Sequence, residues 1–166
     1  MFNDIFNQKK MLELQNLLIK RNETITCAES CTGGLIASYI TQNSGSSTIF
    51  RGSIVTYCNE IKEQELNVKK ETMIKFGVVS CEVVEEMCKG VLKKFNADYS
   101  ISISGVAGPT GGTKNKPVGT VAIGIISKNK NEDIKIYNFS GTRNEIQIQA
   151  AKTALNTIFE ILSKNS

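Results

Sequence analysis

The sequence predicts an α/β protein, a three-layer α/β/α sandwich built on a mixed sheet. Two observations carry this. Segments of helical and of strand periodicity interleave along the whole chain, a pattern that calls for helices on both faces of one sheet. The last two strand-like segments are separated only by the polar stretch Lys128–Asp133. So short a connection makes a hairpin, hence an antiparallel pair in an otherwise interleaved order. At 166 residues, 40% apolar and 22% charged, the chain is long enough to bury a substantial core as one domain, residues 1–166.

Each element has its own signal. Ile5, Met11, Leu14, Leu17 and Leu18 recur at helical spacing, predicting a helix from about Asp4 to Lys20. A strand follows near Thr24–Ala28, then a helix from Thr32 to about Thr41 and a polar loop over Asn43–Thr48. Phe50–Tyr57 is rich in β-branched and aromatic residues and reads as a strand. Asn59 is a good N-cap for the next helix, and a short helix near Glu71–Phe76 ends at Gly77. Ser80 caps an amphipathic helix whose buried face is Val84, Met87, Cys88, Val91, Leu92 and Phe95. Tyr99–Ser104 alternates Ser and Ile, a strand with one small polar face. Gly105–Pro117 is a glycine-rich loop stiffened by the two prolines of the chain. Val118–Ser127 and Ile134–Phe139 form the hairpin. Thr142 and Glu145 make a capping box for the last helix, with Ile148, Ala151, Leu155, Ile158 and Leu162 as its buried stripe.

Bulk properties exclude several classes of function. No apolar stretch approaches the ~18 residues of a membrane helix, and the N-terminus lacks the charged and apolar regions of a signal peptide. A cytoplasmic protein with no membrane partner is expected. Net charge is +4 without a dense basic run, so nucleic acid is not an expected partner. A mild positive balance suits a small phosphorylated substrate. The five cysteines include no C-x-x-C pair and there is no histidine, which argues for free thiols and against a zinc site.

The candidate chemistry centres on Ala28-Glu-Ser30-Cys-Thr-Gly-Gly34, where a strand turns into a helix. Ser30 is either a nucleophile at a helix N-terminus, whose amides would stabilise developing charge, or a plain N-cap. Without histidine, a nucleophilic Ser30 needs another base. Lys62 is the candidate, its ammonium disfavoured by burial and by the start of its helix; otherwise it is an ordinary solvated lysine. Cys31 is a rival nucleophile if the helix N-terminus lowers its pKa, or a small buried filler. Tyr57 ends a strand beside Asn59 and offers a hydroxyl, or an edge aromatic. Gly105–Thr113 brings backbone amides close to a ligand, or is a mobile loop; it matches neither the Walker A nor the G-x-G-x-x-G pattern. Arg143 stands at a helix start, where cations are disfavoured, and so either reaches for an anion or is unpartnered.

Taken in order, Ala28–Gly34, Gly45-Ser-Ser47, Phe50-Arg-Gly52, Tyr57-Cys-Asn59, Lys62, Gly77-Val-Val-Ser80, Ser104–Pro109, Gly111-Gly-Thr113, Lys116–Thr120 and Gly141-Thr-Arg143 resemble the C-terminal domain of the competence/damage-inducible CinA proteins over nearly the whole chain. The resemblance implies a nicotinamide-nucleotide amidase, which turns nicotinamide mononucleotide into nicotinic acid mononucleotide and ammonia in pyridine nucleotide recycling, with neither metal nor organic cofactor. It implies Ser30 as nucleophile, Lys62 as base and Tyr57 as an assisting residue. Gly45, Ser46, Ser47, Asn59, Gly105, Gly108, Gly112, Thr113 and Arg143 are implied as substrate-site residues, with the oxyanion held either by backbone amides near Ser30 or by the hydroxyls and amides of Gly45-Ser46-Ser47. It further implies a homodimer, and a stand-alone form of a domain that many relatives carry behind an N-terminal domain of molybdopterin-binding type. Cys58 stands where many relatives carry serine. The same residues also suit a non-catalytic nucleotide- or partner-binding module.

Overall fold

The structure is a computed structural model that describes residues 1–164. Among the described residues, six α-helices and five strands follow in the order α1 (Gln8–Arg21), β1 (Ile25–Glu29), α2 (Leu35–Thr41), β2 (Phe50–Val55), α3 (Asn59–Leu66), α4 (Lys70–Phe76), α5 (Cys81–Phe95), β3 (Tyr99–Gly105), β4 (Thr120–Ser127), β5 (Asn131–Asn138) and α6 (Arg143–Lys164), with a 3-10 turn at Ser46–Thr48. The sheet order is β2-β1-β3-β4-β5. β1 runs parallel to both β2 and β3, whereas β3–β4 and β4–β5 are antiparallel. The mixed α/β sandwich expected from the sequence is the observed architecture.

Strand alternation separates the two layers. Ile25, Cys27, Ile101, Ile103, Ile123 and Ile125 pack with α1, α2 and α6 in one core. Ala28 and Ala122 pack with α3, α4 and α5 in the other. At the centre of that second face Ala28, Ala122 and Gly124 are small, and α5 comes close. A side chain at Gly124 would start 3.2 Å from the Cys88 sulfur. Cys88 itself lies 3.3 Å from the Gly124 carbonyl oxygen.

Most differences from the sequence reading lie at element ends. α1 starts at Gln8 because the Asn7 side chain accepts from the Lys10 amide and caps it there. β2 stops at Val55. The N-cap of α3 is Cys58, not Asn59. Ser80 does cap α5, accepting from the Val83 amide, and the Thr142–Glu145 box closes in both directions. On α6 the buried stripe is Ile146, Ala150, Ala151, Ala154, Leu155, Ile158 and Leu162, with Ile148 only half-buried. Among the described residues, no helix is long and apolar enough to cross a membrane.

The strand order also locates a crevice. The chain leaves β1 toward β2 on one side, then crosses back over β1 to lay β3 on the other. Such a switch point opens a cleft beyond the carboxyl ends of the parallel strands. The chain that follows β1 begins with Ser30.

Candidate active site

Ser30 immediately follows β1 and is 9% exposed. The helix expected at Thr32 begins three residues later, at Leu35. Gly33 and Gly34 make the intervening turn with φ of 61° and 104°, a left-handed path that side chains rarely follow. The N-terminal amides of α2 are taken. The fully buried Glu29 carboxylate accepts from the amides of Gly34, Ile36 and Ala37 and from the Thr32 hydroxyl, at 2.7–3.2 Å. Ser30 is therefore not the cap of α2, and those amides are unavailable to a reacting oxygen.

Lys62, on the second turn of α3, is 2% exposed. Its Nζ donates to Ser30 Oγ at 3.3 Å and to the Thr56 carbonyl at 2.9 Å. Thr56 is itself fixed to the end of β1, its amide donating to the Glu29 carbonyl at 2.7 Å. Burial pushes the Lys62 amine below the usual lysine range, opposed by the nearby Cys58 and Cys31 thiols. Among the described residues Lys62 has no carboxylate within ion-pair distance. The serine and lysine singled out from sequence are thus in contact, across 32 positions.

A cleft of about 310 Å³ opens over this pair. Tyr57, Asn59, Cys31, Gly105, Gly108, Gly111 and Arg143 line it, as do Val78, Val79 and Ser104, which no sequence signal places at a site. Arg143 straddles the rim. Its guanidinium donates to the Gly108 carbonyl and to the Tyr57 hydroxyl, both at 2.7 Å. It is neither unpartnered nor free to clamp an anion with its whole fork. Tyr57 is 62% exposed and holds Arg143; no bond joins it to Ser30 or Lys62.

Two expectations need correction. Gly45, Ser46 and Ser47 lie at the opposite end of the sheet, in the turn before β2, where Ile49 receives the Ile25 amide at the start of β1. Two parallel neighbours force this, since the connection must return to the edge where β1 began, about 16 Å from Ser30 for a strand of this length. Gly112 and Thr113 lie outside the cleft. Gly112 packs against Val118, and Thr113 closes a turn with Lys116 through both its amide and its hydroxyl. Of the two readings of Cys31, the structure fits the buried filler rather than the activated thiol, because burial pushes its pKa up to about 12. The five thiols are free. Among the described residues no three Cys, Asp or Glu side chains converge on a point that would hold a metal.

Comparison with known proteins places this geometry in a lineage. The model of the CinA C-terminal domain family matches residues 7–162. A CinA-like protein of Endomicrobium trichonymphae is 50% identical over 151 residues, covering 90% of this chain and 35% of that protein. One from Thermotoga neapolitana is 44% identical over 153 residues, covering 92% and 37%. The chain thus spans about a third of the length of the curated relatives it matches. Among solved structures, a competence-damaged protein (CinA) superfamily protein from Klebsiella pneumoniae superposes with a TM-score of 0.90 at 32% identity, covering 95% of this chain and 98% of that one. Its counterpart from Escherichia coli gives 0.91 at 28%, covering 97% and 93%.

Proposed function

The chain belongs to the CinA C-terminal domain family, and from that premise we propose that it is a serine amidohydrolase that converts nicotinamide mononucleotide to nicotinic acid mononucleotide and ammonia. One observation supports this above the others: a buried lysine with no acidic partner donates to the hydroxyl at the floor of the cleft. A purely binding module has no use for that pair, and burying the amine without a counter-charge costs stability.

The chemistry runs as acyl transfer. Neutral Lys62 takes the Ser30 proton as Oγ attacks the carboxamide carbon. The carbonyl oxygen becomes an oxyanion held by backbone amides of the Ser30–Thr32 turn. The C–N bond then breaks and the nitrogen takes the proton from the Lys62 ammonium, leaving as ammonia. Lys62 next deprotonates a water, which attacks the Ser30 ester. The acid departs and the hydroxyl recovers its proton. The Thr56 carbonyl keeps the amine aimed at Ser30 throughout. Arg143 and Tyr57 fix the rim, with Asn59 and the Gly105–Gly111 segment forming walls for the nucleotide.

Ammonia release from nicotinamide mononucleotide tests the assignment. Wild-type protein turns over. Ser30→Ala loses at least about 10³-fold and Lys62→Ala about 10²–10⁴-fold in kcat. Cys31→Ala stays within a few-fold, since a thiol of so high a pKa supplies no thiolate. A folded but inactive Cys31→Ala would transfer the reaction to the thiol. Tight nucleotide binding without ammonia would make the domain a binding module.

A further inference from the structure

Ser104 lines the cleft and is 2% exposed, yet the mechanism above does not use it. Its position follows from register. β1 and β3 are parallel with Ala28 opposite Ser102, so the same register carried two residues on sets Ser30 opposite Ser104. Ala28 faces the α5 layer, while Ile101 and Ile103 face the other. By alternation Ser30 and Ser104 both point to the α5 side, where Lys62 meets Ser30. Adjacent strands lie about 4.8 Å apart, so a carboxamide carbon placed for attack by Ser30 holds one of its two ends against Ser104.

The Ser104 hydroxyl donates to the Val78 carbonyl at 2.8 Å. A carbonyl has no proton to return, so the single proton of Ser104 is committed and only lone pairs face the cleft. We propose that Ser104 is a specificity-determining residue that accepts a hydrogen bond from the NH2 of the substrate carboxamide, and so both orients the amide and selects it over the carboxylate product. This rests on the amidase reading above. The nitrogen and oxygen ends of a carboxamide are nearly equal in size, and shape alone would admit either orientation. Against an acceptor, only the nitrogen end fits. The oxygen is then turned away from β3, toward the Ser30–Thr32 turn, and the leaving nitrogen lies beside the pair that must protonate it. A carboxylate has no donor at either end and sets an anionic oxygen against lone pairs. Lys62 works in the opposite sense, because once protonated it attracts that carboxylate. The discrimination by Ser104 is therefore sharpest at alkaline pH, where the amine is neutral.

Binding without turnover tests this. Nicotinamide mononucleotide and nicotinic acid mononucleotide are titrated calorimetrically at pH 8.5 into Ser30→Ala, Ser30→Ala/Ser104→Ala and Ser30→Ala/Ser104→Thr proteins. The Ser30→Ala protein should favour the amide by at least about tenfold, as expected when one ligand leaves an acceptor facing an acceptor. Ser104→Ala should bring the ratio within about threefold, and Ser104→Thr, which keeps the hydroxyl, should restore it. An unchanged ratio in Ser104→Ala overturns the inference and leaves Ser104 as a prop for Val78, with the amidase reading intact if wild-type protein still releases ammonia. Failure of the Ser30→Ala protein to bind either nucleotide, together with no ammonia release by the wild-type protein, overturns both.

Discussion

At the scale of single residues, Lys62 is the group the site is organised around. Its neighbours are a hydroxyl and a carbonyl, and no carboxylate offsets its desolvation. The sign of the effect on stability follows from linkage. The folded-state pKa lies below the unfolded value of ~10.4, so between the two the unfolded chain binds more protons and stability rises with pH. Below the folded pKa the full cost of the buried amine is present. Lys62→Met should accordingly be inactive yet more stable than wild type near pH 7. Its advantage should shrink as pH climbs toward 10, a trend that denaturant melts across that range will show. An advantage independent of pH would mean that packing, not charge, is the source. Cys31 shows the converse lesson. Its position beside a helix start suggests an acidic thiol, but the helix starts later and burial controls the pKa.

At the scale of elements, Glu29 is the hinge between strand and helix. Its side chain turns to the α2 face and gathers three amides and a hydroxyl, so the helix dipole acts on Glu29 rather than on the reaction. Its backbone carbonyl meanwhile receives both the Thr56 amide and the Thr56 hydroxyl. One residue thereby fixes the turn that carries Ser30 and the carbonyl that aims Lys62. Glu29→Gln keeps the shape but sets an NH2 against N–H donors. That substitution should cost about 1–3 kcal/mol and lower the melting temperature by about 5 °C, measured by calorimetry. An unchanged melting temperature would show that the carboxylate is not needed as an acceptor. At the other end of the cleft, Arg143 fastens the start of α6 to the loop after β3 and to Tyr57 after β2, so three separate segments share one rim.

At the scale of the whole molecule, what could be read from sequence divides by range. Ser80 and Thr142 announced their helices because caps act within a few residues. The polar Lys128–Asp133 stretch announced the hairpin for the same reason, although its second half, from Asn131, belongs to β5 and only Lys128–Lys130 make the turn. The start of α2 was hidden because its cap is a glutamate belonging to the preceding strand, a partner at no standard cap spacing. Gly45–Ser47 were misplaced because motif order says nothing about which end of a parallel sheet a loop occupies. Ser30 and Lys62 were legible as chemistry in a chain without histidine, but their contact depends on β1 pairing with β2, which no local signal specifies. Ser104 was visible as the end of a Ser/Ile alternation, while the Val78 carbonyl that fixes its proton is supplied by the α4–α5 connection, 26 residues away. The claim on which the account turns is that an uncharged Lys62 activates Ser30, and the pH profile of kcat/KM for ammonia release tests it most directly. Wild-type protein should gain about tenfold per pH unit and level off through an ionisation below ~10.4, while Lys62→Ala should run about 10²–10⁴-fold slower with that ionisation gone. A Lys62→Ala protein that keeps the wild-type rate, or the same ionisation, would contradict it.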